Sequence, residues 1–322
     1  MKKLFFGLLL SSAALLSACS NSSDNATKDT NKGDNDDLHV VTTFYPMYDF
    51  TKNVVGDEGE VSILLPAGMD MHDFEPSAKD IAMIQEADVF VYNNENMESW
   101  VPSIEQTLDE GNVNVIKASG DMDLIAGSEE HDHEAEHHDA DDHHHEFDPH
   151  IWLSPARAIT EVENIRDELI AAYPDKKAAF TTNAETYLAQ LKDLDQTFKD
   201  SLNNAKVKNF VAQHAAFGYL AHDYGLTQVP IAGLSPNEEP SPARLAEIKD
   251  FVSKNNVKYI YFEESAKDTI AKTLADEAGV SLEVMNTLEG LTQEEIDNGE
   301  NYISIMQDNL KTLEKTTNGT AE

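Results

Sequence analysis

Short apolar runs recur along the first third of the chain and alternate with amphipathic stretches. The runs are rich in β-branched residues and almost wholly apolar, which is the composition of parallel strands buried on both faces. They cover Leu38–Tyr45, Val61–Leu65, Val89–Tyr92 and Val113–Ile116. Helical spacing of apolar residues separates them at Tyr48–Val55, Ser77–Ala87 and Trp100–Leu108. This alternation predicts a small α/β lobe with a mostly parallel sheet.

The last third of the chain repeats the pattern. Strand-like runs occur at Asn209–Ala212, Gln228–Ala232, Tyr259–Phe262 and Leu282–Met285. Helical patterns occur at Phe217–Tyr224, Ser241–Asn255, Lys267–Ala278 and Asn301–Lys315. The sequence therefore predicts an α/β fold of two lobes, each with a small, mostly parallel sheet flanked by helices.

Two helices are predicted between these sets of strands. Ser154-Pro155 is typical of a helix start, with Ser as the cap and Pro at the first helical position, and the apolar spacing continues to about Ala172. A longer helix covers 175–205, where apolar residues recur three and four apart without Gly or Pro. It would be a rod of roughly 45 Å. We expect it to join a lobe at 38–174 rigidly to a lobe at 206–317, with 318–322 as a tail; a core helix of a single domain is the alternative.

The N-terminal segment has the pattern of an export signal. A charged start at Met1-Lys2-Lys3 precedes a short apolar stretch from Leu4 to Leu16, and Leu16-Ser17-Ala18-Cys19 follows. The last four residues resemble the lipobox of bacterial lipoproteins, which implies removal of residues 1–18 and lipidation of Cys19. An ordinary signal peptide with an incidental Cys is the alternative. Residues 19–37 are polar and predict a flexible tether.

Charge and cysteine content narrow the function classes. The chain carries 23 basic and 60 acidic residues, a formal net charge of −37. Nucleic acid is excluded as a partner, since phosphate binding needs clustered Lys and Arg. Such a charge suits a soluble exported protein that handles cations. Because Cys19 is the single Cys, an intrachain disulfide and a Cys-based zinc site are both excluded.

A tract at 128–146 is dense in histidine and carboxylate side chains. Both are ligands for borderline divalent metals such as zinc, and a tract without fixed geometry can hold ions loosely. Its histidines are His131, His133, His137, His138, His143, His144 and His145. We predict accessory metal contact here; a solvated acidic loop is the alternative.

Further metal-ligand residues follow predicted strands, where α/β proteins gather their ligands. His72 follows the second strand, His214 follows the first strand of the second half, and Glu289 follows its last strand. His150 lies at the end of the loop that closes the first half. A single His is more often a structural hydrogen-bonding residue, but three His and one carboxylate form a tetrahedral set that suits zinc.

Several motifs around these residues resemble one family. They are GMDMHDFEP, FDPHIWLSP, FVAQHAAFGYLAHDYGL, GLSPNEEPSPARL and LEGLTQEEIDNGENYISIMQDNL. Together they resemble the AdcA/ZnuA-like zinc-binding lipoproteins of bacterial ABC importers, over about Leu38 to Lys315. The resemblance implies two lobes joined by a rigid helix with zinc between them, held by His72, His150, His214 and Glu289. Manganese-binding relatives typically have Glu in place of His214 and Asp in place of Glu289.

Other candidate residues are assigned lesser roles. His39 lies at a strand start, the wrong end for a ligand, and His222 is expected at the surface or behind the site. Glu263 and Glu264 follow a strand and are expected to border the site without ligating. Trp152 is expected to wall the site and limit water access.

The functional prediction is capture of Zn²⁺ outside the cytoplasm and its delivery to an ABC permease with a separate ATPase subunit. The protein is expected to be a monomer that is not an enzyme, lipid-anchored at the outer face of the cytoplasmic membrane. The alternatives are a manganese-binding protein on the same scaffold, a zinc hydrolase with Glu289 as general base, and an adhesin or metal-storage protein.

Overall fold

The first half of the chain builds a four-stranded parallel sheet. The computed structural model describes residues 38–127, 147–263 and 269–319. The strands are β1 (Leu38–Thr42), β2 (Gly59–Ile63), β3 (Val89–Tyr92) and β4 (Asn114–Lys117), in the spatial order β2-β1-β3-β4. β1 pairs with β2 from Leu38 opposite Gly59 to Thr42 opposite Ile63. All three pairings in this sheet are parallel.

A second sheet repeats this topology. Its strands are β5 (Asn209–Ala212), β6 (Thr227–Pro230), β7 (Tyr259–Phe262) and β8 (Ser281–Val284), in the order β6-β5-β7-β8. Its pairings are parallel as well. Two mostly parallel sheets with helical connections confirm the predicted fold class. In such sheets the loops after the carboxyl ends of the strands lie together, so each sheet offers one edge for a site.

Helices flank both sheets, and several begin at recognisable caps. They are α1 (Tyr45–Val55), α2 (Ala78–Glu86), α3 (Val101–Gly111), α4 (Pro155–Ala172), α5 (Lys177–Leu202), α6 (Gly218–Asp223), α7 (Pro242–Lys254), α8 (Thr269–Ala278), α9 (Gln293–Asp297) and α10 (Tyr302–Thr317). Ser77 and Thr292 form capping boxes with Asp80 and Glu295. Ser241 accepts a hydrogen bond from the Arg244 backbone N–H, as its predicted cap role requires.

Several details of the predicted elements differ from the structure. Ser154 stands at the start of α4, but its side chain does not cap the helix. Its hydroxyl donates instead to Asp223 Oδ2 at 2.7 Å, which links α4 to α6. The first strand ends at Thr42 rather than Tyr45, because Pro46 fixes the first turn of α1 in a helical backbone. The short helix α9 has no counterpart among the predicted elements.

The long helix α5 contacts both halves of the molecule. It has 26 residues, which makes it about 39 Å long. Its buried face packs against α1 and α4 on one side and α10 on the other. The buried residues of α5 belong to one hydrophobic cluster that runs from Leu38 in β1 to Leu313 in α10. A smaller cluster fills the outer part of the second sheet, around Val211 and Ile260. No helix in the described part of the chain is long and apolar enough to span a membrane.

Truncating the middle of α5 is expected to destabilise the protein as a whole. Leu191 is fully buried in the cluster shared by both halves, so Leu191→Ala should cost about 2–5 kcal/mol of unfolding free energy through lost burial and a cavity. The neighbouring Lys192 is exposed, and Lys192→Ala should change stability by less than about 0.5 kcal/mol. Denaturant unfolding of the metal-free protein measures both. Equal effects of the two substitutions would contradict the placement of α5 in a common core.

Candidate metal centre

The four residues expected at strand exits lie together in the structure. His72 is in the loop between β2 and α2. His214 lies two residues after the end of β5, and Glu289 lies in the loop after β8. His150 precedes a short 3-10 turn at Ile151–Leu153, just before α4. One ligand atom from each residue lies within 4.8 Å of all the others. Loops from both sheets therefore supply one cluster of metal-ligand side chains.

The distances between the ligand atoms match a small tetrahedron. His150 Nε2 lies 3.1 Å from His72 Nε2 and 3.4 Å from His214 Nε2. Glu289 Oε1 lies 3.5, 3.4 and 3.6 Å from the Nε2 atoms of His72, His150 and His214. A tetrahedral ion with bonds of about 2.0–2.1 Å separates its ligands by about 3.3–3.4 Å. Five of the six separations lie at 3.1–3.6 Å and bracket that value, and all six are within 4.8 Å, so an ion of this size fits without moving the side chains far.

Outer carboxylates orient the imidazole rings of His150 and His214. His150 Nδ1 lies 2.8 Å from Asp148 Oδ1, and His214 Nδ1 is hydrogen-bonded to Glu263 Oε1. A carboxylate at Nδ1 places the ring proton there and leaves the Nε2 lone pair facing the centre of the cluster. Glu263 thus borders the site, at the place expected for it, through its contact with His214. The sequence pattern does not single out Asp148; the available signal was a carboxylate two residues before His150.

A hydrogen-bonded chain continues outward from Glu263. Thr287 Oγ1 donates to Glu263 Oε2 at 3.0 Å, and Trp152 Nε1 donates to the Thr287 carbonyl at 2.8 Å. Tyr302 Oη then donates to the Trp152 carbonyl at 2.6 Å. Trp152 is fully buried, and its ring centroid lies 5.4 Å from that of His150. Trp152 therefore walls the site as expected and also ties the β4–α4 connection to the loop after β8.

The buried cluster strongly favours the binding of a cation. The side chains of His150, His214 and Glu289 are at most 5% exposed. Burial opposes a charged imidazole at His214, but Glu263 and Glu289 outweigh it and raise its pKa to about 10. Burial likewise opposes charge on Glu289, yet His72 and the other two imidazoles hold its pKa well below the usual range. In the absence of metal, protons supply the positive charge that this cluster of lone pairs requires.

The remaining candidates lie away from the cluster or outside the described residues. His39 is exposed on β1. His222 is exposed as well, and its Nδ1 pairs with Asp223 at 2.8 Å. Glu264, Cys19 and the seven histidines of the 128–146 tract lie outside the residues that the structure describes.

The fold and the site together define a class of protein. Two α/β halves place three imidazoles and one carboxylate around a single point, which is the donor set of a binding site for one borderline divalent cation. The family described as "Zinc-uptake complex component A periplasmic" matches residues 40–316. The chain belongs to this family. Members of the family are components of an uptake complex and are not a class of enzyme.

Relatives with names and solved structures are similar over nearly the whole chain. The zinc-binding lipoprotein AdcA of Streptococcus pneumoniae is 54% identical over 98% of this chain and 61% of its own length. The high-affinity zinc uptake system protein ZnuA of Bacillus subtilis is 51% identical, over 97% of this chain and 98% of its own. The crystal structure of the Zn(II)-bound ZnuA-like domain of S. pneumoniae AdcA superposes with a TM-score of 0.76 at 54% identity, covering 87% of this chain and 99% of that one. The chain thus spans about three fifths of the AdcA relative and almost all of the ZnuA relative.

Metal binding at this site should release protons. The pKa of His214 is raised to about 10, so at pH 7 this imidazole is protonated and a metal must displace the proton. Apparent affinity should fall by about tenfold per pH unit for each displaced proton as the pH decreases from 8 to 6. Titration with Zn²⁺ against a chromophoric chelator gives the slope, and calorimetry in buffers of different ionisation enthalpy gives the number of protons.

The variant Glu263→Gln provides a matched comparison for this prediction. It removes the carboxylate that raises the pKa of His214 while preserving the shape of the side chain. Fewer protons should then be released on binding, and the pH slope should become shallower. An affinity that is independent of pH in the unmodified protein would contradict the protonated metal-free site.

Proposed function

We propose that this protein captures Zn²⁺ outside the cytoplasm and delivers it to a membrane importer. The observation that carries the proposal is the closed set of His72, His150, His214 and Glu289, with ligand atoms all within 4.8 Å of one another and five of the six separations at 3.1–3.6 Å. A site with four protein ligands is built to hold an ion. Two related proteins are named for zinc binding and zinc uptake, which supports the same assignment.

Zinc is favoured over manganese by both donors and geometry. Three imidazole nitrogens and one carboxylate oxygen suit zinc, whereas manganese favours oxygen donors in octahedral sites. His214 supplies a nitrogen at the position where the manganese-binding relatives typically have Glu. The buried setting of His150 and His214 leaves little room for the additional ligands that an octahedral ion requires.

A hydrolase is the less favoured alternative. A catalytic zinc keeps one coordination position for water, and a general base lies beside that water. Here Glu289 Oε1 lies 3.4–3.6 Å from all three Nε2 atoms, which is the position of a fourth ligand. The family is likewise one of uptake components.

Delivery involves partners and an anchor. We infer that an ABC permease receives the zinc and that a separate subunit hydrolyses ATP, with this protein acting as a monomer. Lipid on Cys19 would hold the body at the outer face of the cytoplasmic membrane through the 19–37 tether. The lipobox-like sequence supports this arrangement, as does the name of the AdcA relative as a lipoprotein.

Removing a ligand should abolish tight zinc binding without unfolding the protein. His150→Ala deletes a nitrogen at the centre of the cluster, 3.1–3.4 Å from three other ligand atoms, and should weaken zinc binding by at least about a hundredfold. His222→Ala removes an exposed imidazole and should leave the affinity unchanged. Competition titrations measure both variants, and the bound metal is counted by mass spectrometry. Equal affinities would contradict the assignment of the site.

Deleting 131–145 should leave one tight site intact. We propose that the tract gathers zinc weakly, so the deletion should remove weak, additional zinc from the titration and not the tight equivalent. Uptake should fall only when zinc is scarce. Loss of the tight equivalent would indicate that the tract supplies ligands to the main site, as a storage or adhesin role would allow.

A further inference from the structure

The loop that carries His72 belongs to the first half of the chain but is held by the second. We call residues 66–74 the His72 loop. The Gly68 backbone N–H donates to the Leu291 carbonyl at 3.0 Å. At Gly290 the chain passes so close that an added Cβ would lie 2.8 Å from the Met69 carbonyl oxygen. The segment after Glu289 therefore packs directly against the loop that provides His72.

A polar contact from a different segment holds the other side of this loop. Asn237, in the connection between β6 and α7, donates through Nδ2 to Asp73 Oδ2 at 2.9 Å and to Asp70 Oδ2 at 3.3 Å. The other carboxylate oxygen of Asp70, Oδ1, accepts the backbone N–H of His72 at 2.8 Å. The side-chain amide of Asn237, in the second half, is thus linked through the Asp70 carboxylate to the backbone of His72.

The contacts that hold the ligands come from different parts of the fold. The side chains of His72, His150 and His214 are all buried, and the rings of His150 and His214 each meet a buried carboxylate from their own half. His72 lies on a loop between β2 and α2, and the contacts just described cross from the other half of the molecule. If the halves separate, His72 loses these contacts, whereas the carboxylates at His150 and His214 stay with their rings.

We propose that Asn237 is a positioning residue that holds His72 against the metal and thereby sets the rate at which the metal leaves. The proposal deepens the zinc-capture function and rests on it. With Asn237 in place, Asp70 and Asp73 share one hydrogen-bond donor, and the His72 loop keeps the conformation that places His72 at the cluster. Without it, two neighbouring carboxylates near Glu289 lose their common donor, and the loop can withdraw His72. A zinc ion left with three protein ligands exposes a coordination position to water or to a competing chelator.

The first test measures zinc release in the full chain. Zinc-loaded Asn237→Ala is mixed with excess chelator in a stopped-flow instrument. Release should be about three- to tenfold faster than from the unmodified protein, as expected for the loss of solvent-exposed hydrogen bonds of ordinary strength. Asn204→Ala is the matched control, since Asn204 is exposed in the connection after α5, and it should release zinc at the unmodified rate. The Co²⁺ absorption spectrum of Asn237→Ala should remain that of a four-coordinate ion, because the bound metal still draws in His72.

A second test exchanges donor and acceptor. Asn237→Asp places a third carboxylate against Asp70 and Asp73 and should accelerate release more than Asn237→Ala does. The double variant Asn237→Asp with Asp73→Asn restores a donor–acceptor pair in reversed sense, so its release should be slower than that of Asn237→Asp alone. A purely structural effect of position 237 would not show this recovery.

The outcomes separate this proposal from the proposed function. Unchanged release from Asn237→Ala, or equal release rates for Asn237→Asp and the double variant, would overturn the proposed role of Asn237. An altered Co²⁺ spectrum in Asn237→Ala would also overturn it, since that would show a changed coordination set and not only a changed exit rate. Failure of the unmodified protein and of Asn204→Ala to bind zinc tightly would instead overturn zinc capture itself.

Discussion

The structure depends on four buried electron-pair donors that face one another. His72, His150 and His214 present nitrogens, and Glu289 presents an oxygen, with five of the six separations at 3.1–3.6 Å. Such a cluster repels itself unless a cation occupies its centre or protons neutralise it. The carboxylates of Asp148 and Glu263 add to this requirement, because they bind the Nδ1 atoms and direct the lone pairs inward. Affinity for a small divalent ion follows directly from this arrangement.

Such a cluster persists only if the surrounding fold is stable enough to hold it. The two sheets direct the ends of their strands toward the cluster, and α5 joins both halves through a continuous apolar core. The chain from Glu263 through Thr287 and Trp152 to Tyr302 ties the ligand loops to α10, which packs on α5. The long helix is therefore both a connection between the halves and a core element, so the two interpretations of its sequence are compatible.

Much of this arrangement could be predicted from the sequence, for identifiable reasons. Buried parallel strands are short apolar runs, so β3, β5 and β7 match their predicted bounds. The ligand residues follow strands, and the topology of parallel sheets brings strand exits together. Asp148 and the bonding of Ser154 to Asp223 could not be predicted, because both depend on which side chains meet across the fold. The short helix α9 was not predicted, because five residues are too few to show a helical spacing of apolar residues.

The contacts between the halves bear on how tightly a metal can be held at this site and how fast it can leave. A site whose four ligands were all held rigidly would bind a metal but would release it slowly. A site with loosely held ligands would release zinc readily but would lose affinity, since ordering the side chains costs free energy at binding. Here the loop bearing His72 is held by contacts with Asn237 and Leu291 that form between the halves. Those contacts exist only while the halves are together, as does the complete ligand set, since His72 and His150 come from the first half and His214 and Glu289 from the second. The rate at which a metal leaves such a site can therefore depend on contacts outside the coordination sphere as well as on the four ligands.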